Sequence, residues 1–119
     1  MRDHRKLKAF QLADALVMSV YKETRSFPRE EMFGLVSQMR RAAISVTVNI
    51  VEGCARNSQA EYLNFLNISF GSLRELGYQI DLASRLGYLP SRKASLLKEQ
   101  YEETARVLYG LMKSLKSRS

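Results

Sequence analysis

SQAEYLNFLNISFGSLRELGYQIDLASRLG, residues 58–87, decides the fold. Tyr62, Leu66, Ser69, Leu73, Leu76, Ile80 and Ala83 recur at alternating four- and three-residue steps, the spacing that lays one stripe down an α-helix. The stretch opens on Ser58-Gln59-Ala60-Glu61, a capping box in which the serine oxygen accepts an amide at the third helical position and the glutamate reaches back to the cap. It closes at Gly87, where a left-handed residue ends a helix. The reading predicts one long helix, the strongest in the chain.

The same period continues outward on both sides. Downstream, Tyr88-Leu89-Pro90 turns the chain and Ser91 or a neighbour is expected to cap a further helix with the stripe Leu97, Tyr101, Thr104, Leu108, Leu111 and Leu115. Upstream, Leu35, Met39, Ala42, Val46, Ile50 and Gly53 form another stripe. The β-branched run Val46-Thr47-Val48 favours a strand locally, but helical spacing on both sides of it outweighs that propensity. This helix starts at Pro28, whose followers Arg29-Glu30-Glu31 suit a first turn, or at Gly34. Phe10, Ala13, Val17, Val20 and Thr24 predict a first helix over residues 6–25. The four helices and their short connections predict an all-α, antiparallel up-down-up-down four-helix bundle, one domain over residues 1–119.

Composition limits what such a bundle does. One cysteine, Cys54, leaves no intrachain disulfide and fits a reducing cytoplasm, and no segment reaches the roughly 18 apolar residues of a membrane span. Di-iron bundles need Glu-x-x-His pairs on inward faces. The only histidine, His4, stands in the charged N-terminal segment, so neither a metal centre nor a haem is expected. No cofactor or catalytic residue is assigned, and Cys54 reads as a structural thiol.

The net charge of +7 is unevenly spread. The basic segments 1–8 and 113–119 each carry +3, which leaves the body at +1. Up-down topology brings the start of helix one, the hinge between helices two and three and the end of helix four to one pole of a rod about 30 Å long. Arg5, Lys6, Lys8, Arg56, Lys113 and Lys116 are the candidate phosphate contacts there, since clustered cations gain affinity by releasing counterions. A solvated, solubilising end is the alternative reading of the same charges. No stacking motif or helix-turn-helix accompanies them, which argues against sequence-specific binding.

The hinge itself, Asn49-Ile50-Val51-Glu52-Gly53-Cys54-Ala55-Arg56, concentrates polar and small residues. Glu52 and Glu75 have the chemistry of an acid–base pair, yet Arg40, Asn49, Glu52 and Glu75 read better as a structural polar network. Arg40 is expected to pair with Glu75 across the hairpin, and Glu52 with Arg56 four residues on or with exposed amides at the cap of helix three, with Asn49 bonding across a small-residue seam of Ala42, Ser45, Ser69, Gly71 and Ser72. Gly71 and Gly77 are expected at close helix contacts that offset the cost of about 1 kcal/mol each carries in a helix. A second apolar line, Phe65, Ile68, Leu82 and Leu86, puts helix three either at the centre of the bundle or at an interface between subunits, of which the interface is the preferred reading.

Leu7 to Ala13, Phe27-Pro28, Gly34 to Ser45, Asn49 to Gly53, Phe65 to Leu76 and Leu86 to Leu89 together resemble the four-helix-bundle proteins encoded by intervening sequences of bacterial 23S ribosomal RNA genes. Asn-Ile-x-Glu-Gly followed by Gly-Ser-x-x-Glu-Leu is the most specific combination. Phe10 stands where the family often has Trp and Val51 where Ala is usual. The resemblance implies a small cytosolic homopentamer with no established enzyme activity. It is related in fold to the accessory variability protein of diversity-generating retroelements, a basic pentamer that engages nucleic acid and a reverse transcriptase. The partners this implies are copies of the chain itself and RNA or DNA; a protein-interaction scaffold without nucleic acid is the alternative.

Overall fold

Each expected helix forms, and its ends follow local chemistry. The computed structural model describes residues 2–118; Met1 and Ser119, the outer ends of the two basic segments, lie outside the described residues. The helices are α1 (Lys8–Thr24), α2 (Leu35–Cys54), α3 (Gln59–Arg85) and α4 (Ser91–Ser117), with 3-10 turns at His4–Lys6 and Arg29–Glu31. Helix α1 starts later than residue 6 because the first turn is tightened into a 3-10 form, with the Asp3 carboxylate accepting the Arg5 amide. Of the two expected starts of the second helix, α2 uses Gly34, where Glu31 Oε1 accepts the Leu35 amide at 3.3 Å, while Pro28 opens only the separate 3-10 turn. The run Val46-Thr47-Val48 is helical.

Ser58 caps α3 by accepting the Glu61 amide at 3.1 Å, while the Glu61 carboxylate accepts the Ser58 hydroxyl instead of the cap amide. At the other end Gly87 has φ +79, and the amides of Gly87 and Tyr88 bond back to the carbonyls of Ser84 and Ala83. That is a Schellman closure, which an L side chain at residue 87 would strain. Ser91 is not a cap. It is the first residue of α4, behind Pro90, which offers no side-chain bond.

All seven stripe residues of α3 are buried, so its period was read in register. In α1 the core line is Ala9, Ala13, Leu16, Val20 and Thr24; Phe10 and Val17 sit at its edge. In α4, Ala94 and Met112 enter the core while Tyr101 and Leu111 stay half-buried. Buried hydroxyls are satisfied locally, Thr24 by Val20 and Thr104 by Gln100, and Ser69 donates across to the Val46 carbonyl at 2.7 Å.

Named contacts set the topology. Ser45 meets Ser72, Val46 meets Ser69 and Gly53 meets Phe65, so α2 and α3 run antiparallel. Tyr101 crosses Gly77 and Tyr109 meets Phe70, which makes α3 and α4 antiparallel; Arg40 bonds Thr24 from α2 to α1, and Lys93 pairs with Glu23 from α4 to α1. The rod measures 45 × 23 × 20 Å, longer than the expected 30 Å because α3 and α4 have 27 residues each.

Two glycines permit close approach, and they are not quite the expected two. A methyl on Gly53 would stand 3.1 Å from Phe65 Cβ and 3.3 Å from the Tyr62 carbonyl, so the hinge glycine sets the α2–α3 distance. A methyl on Gly77 would stand 2.8 Å from the Tyr101 hydroxyl. Gly71 has open space around it, and the contact expected there is absent.

Candidate nucleic-acid interface at the basic pole

The N-terminal turn, the α2–α3 hinge and the end of α4 meet at one end of the rod. Arg2 makes the first junction, donating from Nη1 to the Arg56 carbonyl at 2.9 Å while its guanidinium lies 4.1 Å from the Tyr62 ring centroid. Gln59 makes the second, its Nε2 donating to the Leu115 carbonyl at 2.7 Å. The carbonyl ends of α2 and α4 face this pole together with the amide ends of α1 and α3, so the helix dipoles offset one another and the charge of the pole is set by its side chains.

The six candidate contacts are not equivalent. Arg5 is engaged by Asp3 through Nε at 3.0 Å and Nη2 at 3.2 Å. Hydrogen bonds from the Arg5 side chain, then from its amide, hold the Asp3 carboxyl below the usual range. Arg56 pairs with Glu52 at 2.9 Å, as the four-residue spacing predicted, and covers the Phe65 ring at 4.8 Å. Lys6, Lys8 and Lys113 are exposed and have no carboxylate partner among the described residues. Lys116 is exposed on the last turns of α4. Around them stand Arg2 and Arg118 against Asp3, Glu52 and Glu61, which leaves a clear cationic excess.

The polar network differs from expectation in three of its four members. Arg40 does not pair with Glu75. Residues 40 and 75 are level on the hairpin, but the helical turn puts Arg40 on the α1 side of α2, where Nε donates to Thr24 Oγ1 at 3.0 Å and Nη2 to the Tyr21 carbonyl at 3.4 Å. Glu75 instead accepts a long bond from Gln79 on its own helix. Asn49 does not cross the seam either. Its Nδ2 bonds back to the Ser45 carbonyl at 2.8 Å, and the bridge to α3 is the Ser45–Ser72 hydroxyl contact at 2.8 Å.

Cys54 is buried beneath this pole, next to Tyr62 rather than a base. Burial raises the thiol above its ordinary value, and burial together with the Cys54 contact pushes the Tyr62 phenol up to about 12. Both groups are held neutral, the opposite of an activated nucleophile. Among the described residues no cluster of three or more His, Cys, Asp or Glu could hold a metal ion, and no helix is long and apolar enough to cross a membrane.

The family model for the 23S rRNA-intervening sequence protein matches residues 5–110. The chain belongs to that family. Among solved structures it is similar to a protein of unknown function from the S23 ribosomal protein family of Bacteroides thetaiotaomicron. That match has a TM-score of 0.81 and 21% identity, over 88% of this chain and 95% of the other. At that identity the likeness shows the fold. No curated protein matches. Neither the family description nor the neighbour's carries an enzyme activity.

Within this 23S rRNA-intervening sequence protein fold, the apolar surplus lies partly where the sequence put it. Ile68 and Leu86 are exposed, while Phe65 and Leu82 are half-buried. A second line, on α2, was not read from the sequence: Ile44, Val48 and Val51 are exposed at helical spacing. Their four- and three-residue steps were visible, but α2 already had a complete core stripe and the extra line was absorbed into it. Phe33, 93% exposed in the α1–α2 connection, was likewise missed, because an isolated Phe carries no period.

Proposed function

We propose that this chain is a non-enzymatic homo-oligomer of the cytoplasm, pentameric as the resemblance implies, whose basic pole holds RNA or DNA nonspecifically through phosphates. The observation that carries the reading is the convergence of both basic segments on the hinge, with Lys6, Lys8 and Lys113 exposed and outside the ion pairs of the described residues. Arg5 and Arg56 join them only by exchanging an internal carboxylate for a phosphate, so they contribute less per residue. The aromatic rings near the pole favour backbone contact over base stacking. Tyr62 and Phe65 lie under Arg2 and Arg56, and Phe10 packs edge-on against His4.

A ring of subunits with parallel axes would repeat the pole into one basic face, and the exposed apolar lines of α2 and α3 supply a surface for such packing. The same lines support the second reading, a protein-interaction scaffold without nucleic acid. Fluorescence anisotropy of mixed-sequence RNA and DNA at low salt separates the two. Saturable binding that weakens when Lys6, Lys8 and Lys113 become Gln supports the first. No detectable binding, with a protein partner retained after nuclease treatment, supports the second.

A further inference from the structure

At the end of the rod away from the basic pole, the α1–α2 corner forms an open cleft of about 250 Å³ whose lining includes Arg25, Arg29 and Arg40 and no carboxylate. Thr24 also lines it, with its hydroxyl spent on the Val20 carbonyl and the Arg40 guanidinium, and Phe27 and Met32 supply an apolar wall. Two of the three carboxylates of the neighbourhood are committed elsewhere. Glu23 pairs with Lys93 at 3.3 Å, and Glu31 accepts the Tyr88 hydroxyl at 2.8 Å and the Leu35 amide. Glu30 does not line the cleft.

Arg40 is the unusual member. It is a half-buried guanidinium with no carboxylate partner among the described residues, fixed from one side by Thr24 and the Tyr21 carbonyl, with the Tyr21 ring 4.5 Å from Cζ. Its Nη1 bonds nothing among the described residues. A cation held partly out of water is costly unless an anion joins it. One already oriented loses little freedom when that anion arrives.

We infer that this corner is a binding site for a phosphomonoester carrying a small apolar or aromatic body. Arg40 supplies the oriented fork, Arg25 and Arg29 close over the remaining oxygens, and Phe27 and Met32 take the body. The size fits that class. At about 250 Å³ and open to solvent on one side, the cleft has room for a phosphate with a small body beside it and lies below the roughly 300–1,000 Å³ of drug-sized sites.

The test is calorimetric titration of the full chain with phenyl phosphate at low ionic strength, with inorganic phosphate and phenol as partial probes. Saturable binding at one site per chain is expected, tighter for phenyl phosphate than for phosphate and absent for phenol. Arg40→Gln should weaken it on the order of tenfold or more, the scale of a lost charge-assisted bond. Arg25→Gln with Arg29→Gln, both exposed and remote from the core, should weaken it several-fold without touching the fold. Lys6→Gln with Lys113→Gln, at the opposite pole, should leave it unchanged. Competition by a 5′-phosphorylated oligonucleotide, but not by its 5′-hydroxyl counterpart, would identify a nucleic-acid end as the source of the group; failure of both would identify a free phosphomonoester. The inference is overturned if phenyl phosphate does not saturate at millimolar concentration, or if its binding survives the arginine changes and is lost with the lysine changes.

Discussion

Replacing Gly53 by Ala tests whether the hinge motif is a spacing device. The added methyl would stand 3.1 Å from Phe65 Cβ and from Tyr62 Cδ1, and 3.3 Å from the Tyr62 carbonyl. Two of those atoms are a side-chain root and backbone, which cannot swing aside, so α3 must move away from α2 by a few tenths of an ångström. Overpacking of this kind costs about 1–3 kcal/mol. Alanine returns up to about 1 kcal/mol of helix propensity, less in the last turn of α2, where Gly53 sits. The net expectation is destabilisation by about 1–2 kcal/mol. Gly71→Ala is the control: the position is exposed, mid-helix and open, so the propensity gain stands alone and the variant is stabilised by up to about 1 kcal/mol. Urea unfolding at one fixed protein concentration measures both, since association would otherwise shift the midpoints. Equal stabilisation of the two variants would refute the claim that Gly53 sets the helix separation.

Alkaline pH should destabilise the fold through Tyr62. The phenol titrates near its ordinary value of 10 when unfolded and at about 12 when folded, so the unfolded chain loses its proton first. Stability then falls between those values at up to about 1.4 kcal/mol per pH unit, and Tyr62→Phe should flatten that part of the profile. Glu52→Gln should change stability by less than about 0.5 kcal/mol, because the pair with Arg56 is exposed. The same change should tighten RNA binding by releasing Arg56, and unchanged or weaker anisotropy-measured affinity would count against Arg56 as a contact. Val48→Glu with Ile68→Glu should reduce the light-scattering mass toward the monomer while helical circular dichroism persists; an unchanged mass would move the subunit interface elsewhere.

The helices were legible because each is long enough for its period to repeat, and in α3 every stripe residue reached the core. Register slipped where two apolar lines compete. In α1, Leu16 displaced Val17 from the centre, and in α4 Met112 displaced Leu111, each by one position. The convergence of the charged segments at one pole followed from topology alone, and the Glu52–Arg56 pair from a four-residue spacing within one helix. Partners across helices were not legible. Arg40 and Glu75 are level in the hairpin, but side-chain direction depends on the rotation of α2, which sends Arg40 to Thr24 instead. The three-arginine corner was invisible for a related reason: Arg25, Arg29 and Arg40 come from three separate segments that only the closed α1–α2 connection brings together.

The basic pole is tested most directly by the salt dependence of binding to mixed-sequence single-stranded RNA, compared between the wild-type chain and the variant with Lys6, Lys8 and Lys113 all changed to Gln. Each phosphate contact on a single strand contributes about 0.7 to the slope of log affinity against log salt. Three lost contacts per subunit should lower the slope by about 2 for each subunit engaged and weaken binding across all sequences alike. Equal slopes and affinities for the two proteins, or no binding by either at low salt, would contradict phosphate recognition at this pole.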